Sequence, residues 1–161
     1  MASKYELIVG IDVGKEGGIA VLDVASEQIL VTHKTPDGIK GHFDVVETII
    51  SGANGRKILV VIERVTGRYG DSAHSAFSFG FTAGIMHTVV ERLGLPYELA
   101  HPKTWMKEYE MAKKSGEKDT VWKNRLKALA MKMYPEYDGI TLWNSDAILI
   151  AKYGDIKYNG K

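Results

Sequence analysis

The amino-acid sequence predicts an α/β domain in which helices cover both faces of a mixed five-stranded sheet. Three strand-like segments come first and are followed by alternating helices and strands, an order typical of a sheet with mixed strand directions. The continuous aliphatic segment at residues 57–63 is typical of a central strand that is buried on both faces. With 161 residues, the chain is long enough for one domain, residues 1–161, with its own core.

Five segments have the composition of strands, at residues 7–13, 18–24, 28–35, 57–63 and 97–99. The first two are joined by a tight turn, Gly14-Lys15-Glu16-Gly17, and the fifth follows Gly94-Leu95-Pro96. We expect the first and fourth strands to lie in the centre of the sheet.

Four segments have helical spacing of their apolar residues, at residues 41–51, 72–93, 120–134 and 142–153. The third shows the pattern clearly, because Trp122, Leu126, Leu129 and Met133 recur on one face. The last is apolar almost all round, which predicts that it is buried on all sides.

The composition excludes several classes of protein. The chain has no cysteine, so a disulfide framework, a thiolate zinc site and a cysteine nucleophile are excluded. The longest aliphatic run, residues 58–62, is far shorter than the ~20 residues that span a bilayer, so we expect no membrane partner. The first residues lead directly into a strand and leave no room for a signal peptide, which favours the cytoplasm.

Three acidic residues lie in the most apolar segments of the sequence. Asp12 is part of the first predicted strand, Glu63 ends the fourth, and Asp146 lies in the last helix. Taken singly, each also suits an ordinary acid just past a strand end or at a helix N-terminus. Together they favour metal coordination, because burial of unpaired carboxylates is costly and none has a cationic neighbour in its own segment. Oxygen ligands of this kind suit Mg²⁺ or Mn²⁺.

The segments around these acids resemble the ordered acidic motifs of the RuvC-type Holliday junction resolvases, which belong to the ribonuclease H-like superfamily. They are Gly10-Ile11-Asp12-Val13-Gly14, Val61-Ile62-Glu63-Arg64-Val65 and Ser145-Asp146-Ala147-Ile148-Leu149-Ile150-Ala151. Further segments are similar to the compact RuvC-like resolvases of bacteriophages: Gly70, Ser75-Ala76-Phe77-Ser78-Phe79-Gly80, Gly84, Pro102-Lys103-Thr104-Trp105 and Ala151-Lys152-Tyr153-Gly154. The resemblance covers nearly the whole chain and implies a ribonuclease H-like sheet.

The resemblance also implies a function in DNA recombination and repair. It implies a homodimer that binds a four-way DNA junction and nicks two strands symmetrically, with products that have a 5′-phosphate and a 3′-hydroxyl. Two Mg²⁺ ions, or Mn²⁺ in their place, would be bound in each active site. Asp12 would be the bridging ligand, and Glu63 and Asp146 would each complete one metal site. A cytoplasmic location in a bacterial or phage-infected cell, and no nucleotide cofactor, are expected.

One position departs from the family pattern. The family has a fourth ligand, an acid or a histidine, within about one turn before the final aspartate, and here the residue three positions earlier is Trp143. Asn144 offers a neutral carbonyl oxygen, and Asp138 could reach the site if the loop between them folds over. We expect Asp138 to be the fourth metal ligand.

The net charge of +1 hides two opposed regions. Residues 103–132 contain eight lysines and one arginine against four acids, a net charge of +5, so the rest of the chain is near −4. Such a basic stretch suits contacts with DNA phosphates, although it is also compatible with an ordinary solvated helix face. Lys118 matches a basic residue that the family places near the scissile phosphate, and Lys103 and Lys107 are further candidates.

Two more segments are candidates for recognition. In the loop after Glu63, Arg68 could contact a phosphate and Tyr69 could stack on an unpaired base, although an ordinary loop would look similar. Residues 72–84 combine small residues with phenylalanines, which suits a dimer interface or a buried helix. The histidines His74, His87 and His101 lack metal-ligand spacing and are expected to be structural.

Other functions are compatible with parts of the sequence. An actin-like or sugar-kinase ATP-binding domain also has Gly-Ile-Asp-Val-Gly in its first phosphate loop, but it needs two domains and a second Asp-Gly loop. A ribonuclease H usually places its second acid on a helix, whereas Glu63 ends a predicted strand. The substitution of Trp143 for a ligand leaves a non-catalytic junction-binding protein as an alternative.

Overall fold

The computed structural model describes residues 3–64, 66–67, 70 and 72–160. The strands are β1 (Leu7–Asp12), β2 (Gly18–Asp23), β3 (Gln28–Lys34), β4 (Ile58–Glu63) and β5 (Tyr97–Ala100). The helices are α1 (Gly38–Ala53), α2 (Ala73–Arg92), α3 (Pro102–Glu108), α4 (Asp119–Met133) and α5 (Ser145–Asn159). Among these described residues, no helix combines the length and the apolar character that crossing a membrane requires.

The strands form one mixed sheet in the order β3-β2-β1-β4-β5. β1 pairs antiparallel with β2 and parallel with β4, and β4 pairs parallel with β5. The predicted mixed five-stranded sheet is therefore confirmed, and β1 and β4 are interior strands as expected. Every residue of β4 is buried, which agrees with its continuous aliphatic sequence.

Helices cover both faces of this sheet, as the sequence predicts. The side chains of Val9, Ile11, Val60 and Ile62 pack with α1 and α2 on one face. On the other face, Ile8 and Val61 pack in a second apolar cluster with residues of α3, α4 and α5. All residues from Ser145 to Ala151 are buried in α5, because this helix lies between the sheet and other helices.

Helix α3 was not predicted from the sequence. It has only seven residues and follows β5 almost directly, so it lacks the repeated apolar spacing that identifies a longer helix. Its start is well defined, because the side chain of His101 accepts a hydrogen bond from the backbone nitrogen of Lys103 and Pro102 occupies the first turn. The expected structural role of His101 is thus confirmed. Helix α5 begins three residues later than predicted, at Ser145 rather than Leu142.

Gly10, in the middle of β1, allows α5 to lie directly on the sheet. A Cβ atom at this position would lie 2.1 Å from the carbonyl oxygen of Ala147 and 2.4 Å from the backbone nitrogen of Ala151. The backbones of strand and helix therefore touch, and this contact holds the first turn of α5 above the end of β1.

Gly10→Ala is expected to destabilise the protein by about 3 kcal/mol, because the new methyl group meets backbone atoms of α5 that cannot turn aside. For a chain of this length, the midpoint of thermal unfolding should fall by roughly 6–12 °C. The matched control is Gly52→Ala in α1, where a Cβ would meet nothing within 4 Å and helix propensity should add up to about 1 kcal/mol of stability. Equal unfolding midpoints for the two variants would contradict this account of the packing.

Candidate active site

The structure brings the three acids of the apolar segments together. Asp12 and Glu63 end neighbouring parallel strands whose register pairs Ile11 with Ile62, the residues just before them. Because side chains alternate along a strand, both acids lie on the face that α5 covers. Asp146 lies in the first turn of α5, above this edge of the sheet. One sheet edge and one helix start therefore form a centre of three carboxylates.

The carboxylates of this centre cannot all be ionised at low cost. Burial, together with the charges of Asp146 and Glu63, raises the pKa of Asp12 well above its usual range. Burial also raises the pKa of Glu63, although a hydrogen bond from Trp105 opposes that shift. Asp12 and Glu63 are joined by a side-chain hydrogen bond. Both carboxyl groups are therefore harder to ionise than isolated ones.

Lys123 in α4 is the cationic partner of Asp146. Its ammonium donates to Oδ2 of Asp146, a residue of which only 3% of the side chain is exposed, whereas 39% of the lysine side chain is exposed. Burial opposes the charge of Lys123, but the carboxylates of Asp146 and Asp12 raise its pKa overall. The centre therefore contains one protein cation among three acids.

Trp105 in α3 contacts Glu63. The side chain is completely buried, and its indole Nε1 donates a hydrogen bond of 3.1 Å to Oε1 of Glu63. An indole has a single polar atom, and that atom is a donor only, so this bond satisfies the whole polar requirement of the side chain.

The donor set fits a hard divalent cation, although the side chains do not enclose one as they stand. Within the described ranges, no three histidine, aspartate or glutamate residues are arranged so that they could hold a metal ion. Lys123 donates a hydrogen bond to one carboxylate oxygen of Asp146, and the side chains of Asp12 and Glu63 are hydrogen-bonded to each other. Oδ1 of Asp146 is nevertheless buried without a hydrogen-bond partner, which is costly unless a further positive group binds there. All-oxygen donors of this kind suit Mg²⁺ or Mn²⁺.

The carboxylates lie in a cleft of about 1180 Å³. Its walls come from the β1–β2 turn, α2, α3, α4 and the segment before α5. Five lysines line it: Lys15, Lys103, Lys107, Lys113 and Lys123. A cleft with an acidic floor and basic walls suits a polyanionic substrate whose reaction needs a metal ion.

The structure separates the lysines that were candidates for DNA contact. Lys103 and Lys107 are exposed on α3 and line the cleft. Lys118 is exposed just before α4 and is not among the residues that line the cleft. Arg68 and Tyr69 lie outside the described residues, so their predicted contacts stay predictions.

The expected fourth ligand is not found at the centre. The role of Asp138 as a ligand stays a prediction, but in the structure this residue is exposed and is not among those that line the cleft. The physical reason is the buried side chain of Asn144, which donates to the carbonyl oxygen of Gly139 at 2.9 Å and accepts from the backbone nitrogen of Thr141 at 2.8 Å. These bonds hold the loop closed on itself and use the amide oxygen that could have served as a ligand.

Trp143 lines the cleft where the family pattern has a ligand. Its ring packs over Gly18, where a Cβ atom would lie 2.9 Å from the ring, and the ammonium of Lys34 lies 5.8 Å from the ring centre. The side chain forms an apolar wall of the cleft.

Two residues of the centre, Lys123 and Trp105, were missed by sequence reasoning. Lys123 is one of eight lysines in the basic stretch, but it lies three and seven residues before Leu126 and Ala130, the fully buried positions of α4. That spacing places Lys123 beside the buried face of α4, but Lys127 has the same spacing to Ala130 and Tyr134, so the sequence alone does not single out Lys123. Trp105 was noted only as part of a motif.

The order of the strands, the acids that end β1 and β4 and the helix above them define a ribonuclease H-like α/β fold of the RuvC kind. This is the fold that the sequence motifs imply.

Solved structures with the same fold agree with this assignment. The chain is similar to RuvC of T. thermophilus in complex with a Holliday junction substrate, with a TM-score of 0.63, 15% identity and 92% of each chain covered. It is also similar to another Thermus thermophilus RuvC structure, with a TM-score of 0.59, 14% identity and coverage of 91% of this chain and 92% of that one. No protein-family model matches the sequence, and no curated protein matches it.

Proposed function

We propose that this protein is a metal-dependent endonuclease that resolves four-way DNA junctions. The observation that supports this most directly is the centre of Asp12, Glu63 and Asp146 on the floor of a lysine-lined cleft. Lysines suit the phosphates of DNA, and buried carboxylates suit the divalent ions that activate water for phosphodiester hydrolysis. The similar RuvC structure in complex with a Holliday junction supports this class of substrate.

The residues of the centre have separate roles in this proposal. Asp12, Glu63 and Asp146 would hold two Mg²⁺ or Mn²⁺ ions. Bound divalent ions would stabilise negative charge on the phosphate and lower the pKa of water. Lys123, when it is free of Asp146, would donate to a phosphate oxygen and neutralise the charge that develops there. Attack by water breaks the bond from phosphorus to O3′, which leaves a 5′-phosphate and a 3′-hydroxyl.

The DNA contacts follow from the walls of the cleft. Lys103 and Lys107 extend from α3 along one side and would bind phosphates near the cut. Lys118, Arg68 and Tyr69 are proposed as further DNA contacts. Cleavage of this kind would serve DNA recombination and repair in the cytoplasm of a bacterial or phage-infected cell.

Symmetric nicks need two active sites, and α2 offers a surface for a homodimer. Phe77 and Phe81 stack on each other at 6.1 Å and are 73% and 58% exposed. Gly80 and Gly84 lie beside them in a groove with Ile39, and such a concentrated apolar surface is typical of an interaction site. Phe79 of the same helix lines the cleft, so a dimer interface on α2 would bring the two active sites close together.

A labelled four-way junction, incubated with Mg²⁺ or Mn²⁺ beside a linear duplex and an RNA–DNA hybrid, tests the proposal. We expect paired nicks at symmetric positions in the junction only, with ends that DNA ligase joins without further treatment. A plasmid with an extruded cruciform should give linear product rather than nicked circles, because a dimer cuts both strands in one encounter.

Other outcomes would assign the protein to another class. Junction binding without cleavage under either metal would support a non-catalytic junction-binding protein. Preferential cleavage of the hybrid would support a ribonuclease H, and ATP hydrolysis without cleavage would support an ATP-binding domain. Each of these results would overturn the proposed activity.

A further inference from the structure

We infer that Trp105 is a positioning residue, which fixes the side chain of Glu63 so that this carboxylate is ready to bind a cation. The inference rests on the proposed function, because it assigns a role to Glu63 as a metal ligand. It starts from the hydrogen bond between the indole Nε1 and Oε1 of Glu63, the contact that joins α3 to the acidic centre.

The bond has no substitute on the tryptophan side. Trp105 is completely buried, packed in the apolar cluster that also contains Ile148 and Leu149 of α5. Without Glu63, the indole N–H would be left unsatisfied in the core, which costs roughly 1–3 kcal/mol. The buried indole is therefore fixed by its packing, and its hydrogen bond restricts the position of the Glu63 carboxylate.

The backbone fixes only the base of the Glu63 side chain. Glu63 pairs with Ala100 in the sheet, and the next residue, Arg64, donates its backbone N–H to the carbonyl oxygen of Ala100 at 2.8 Å. A glutamate side chain still has considerable rotational freedom, and its loss costs up to about 2 kcal/mol when the group is ordered. Because Trp105 has already ordered this carboxylate, a cation that binds it does not bear that cost.

The same short helix also faces the substrate. Lys103 and Lys107 lie four residues apart on α3, so they share one side of the helix, and Trp105 lies on the opposite side. Helix α3 therefore presents lysines to the cleft with one side and fixes Glu63 with the other. This arrangement places the DNA contacts at a constant distance from the carboxylate that would bind the metal.

Binding of Mn²⁺ to the DNA-free protein, measured by titration calorimetry, tests the inference with Trp105→Phe. The phenylalanine keeps an aromatic ring in the core but removes the N–H donor. We expect the affinity for Mn²⁺ to fall about 10-fold, the lower end of the loss seen when groups that orient metal ligands are removed. The matched control is Tyr109→Phe, which removes a hydrogen-bond donor to the backbone carbonyl oxygen of Leu149 at a residue that is not among those lining the cleft. This variant should change the affinity less than about 2-fold, within the range expected without a ligand contact.

A cycle with Glu63→Gln separates positioning from general packing. If Trp105 acts through Glu63, Trp105→Phe should have almost no further effect on Mn²⁺ affinity in the Glu63→Gln background. An equal loss in both backgrounds, or wild-type affinity in Trp105→Phe, would overturn the inference and leave the proposed function intact. Absence of Mn²⁺ binding by the wild-type protein would overturn both.

Discussion

Asp12→Asn is expected to reduce junction cleavage at saturating Mg²⁺ by about a thousand-fold or more. Asp12 interacts with both other acids of the centre, since it shares a hydrogen bond with Glu63 and is affected by the charge of Asp146. Its replacement by a neutral amide removes a carboxylate that we propose as a metal ligand, which should cost roughly 4 kcal/mol of transition-state stabilisation. Binding of the intact junction should persist, because the lysines of the cleft are unchanged.

The same variant should be at least as stable as the wild-type protein when no metal is present. The pKa of Asp12 is raised in the folded state, mainly by burial, so the folded protein holds this proton more tightly than the unfolded chain. The stability that this proton contributes is complete below the unfolded pKa of about 3.9 and is lost as the pH rises through the higher folded-state pKa. Asp12→Asn has no carboxyl group to ionise at this position, so it does not lose this stability. The difference in free energy of unfolding between the variant and the wild-type protein should therefore grow between pH 4 and neutral pH.

Denaturant unfolding in EDTA at several pH values, together with a cleavage assay, checks both effects. The matched control is Asp37→Asn, the same chemical change at an exposed position whose side chain makes no capping hydrogen bond to α1. This control should cleave like the wild-type protein and show no growing advantage with pH. Cleavage by Asp12→Asn within tenfold of the wild-type rate would contradict the assignment of Asp12 as a ligand.

The sheet and the acidic centre were accessible from the sequence because local patterns determine them. The aliphatic run before Glu63 identifies an interior strand, and acids at the ends of adjacent strands meet at one edge of a sheet. The near-continuous apolar sequence after Asp146 likewise identifies a helix that is buried on several sides. In each case a few neighbouring residues contain the whole signal.

The partners of those acids were less accessible because their contacts join distant parts of the chain. Trp105 reaches Glu63 across 42 residues and Lys123 reaches Asp146 across 23 residues, and no local spacing relates either pair. The position of Asp138 depends on distant contacts in the same way. Whether its loop folds over the site depends on where Asn144 finds hydrogen-bond partners, and one of these, the hydroxyl of Thr32, belongs to β3.

Lys123→Met is expected to destabilise the metal-free protein and slow cleavage, while metal binding becomes tighter. Asp146 would lose its ionic partner while its carboxylate stays buried. Removing one partner of a fully buried pair costs roughly 3–5 kcal/mol, and because 39% of the lysine side chain is exposed we expect about 2 kcal/mol, a fall of roughly 4–8 °C in the unfolding midpoint. The double variant Lys123→Met with Asp146→Asn should recover much of this stability, because it leaves no unpaired charge.

In Lys123→Met, the affinity for metal is expected to rise while the rate of cleavage falls. These opposite changes test the role of Lys123. Without the ammonium, the carboxylates attract a divalent cation more strongly, so Mn²⁺ should bind several-fold more tightly and raise the unfolding midpoint more than in the wild-type protein. Cleavage should nevertheless fall about 100-fold, because the phosphate loses a positively charged donor. Lys127→Met, one turn further along α4, is the control and should change neither property. If Lys123→Met bound Mn²⁺ and cleaved junctions as the wild-type protein does, the ammonium of Lys123 would have no part in the proposed reaction. Removal of an ion pair from a metal-binding centre must change the charge that acts on the metal and on the phosphate.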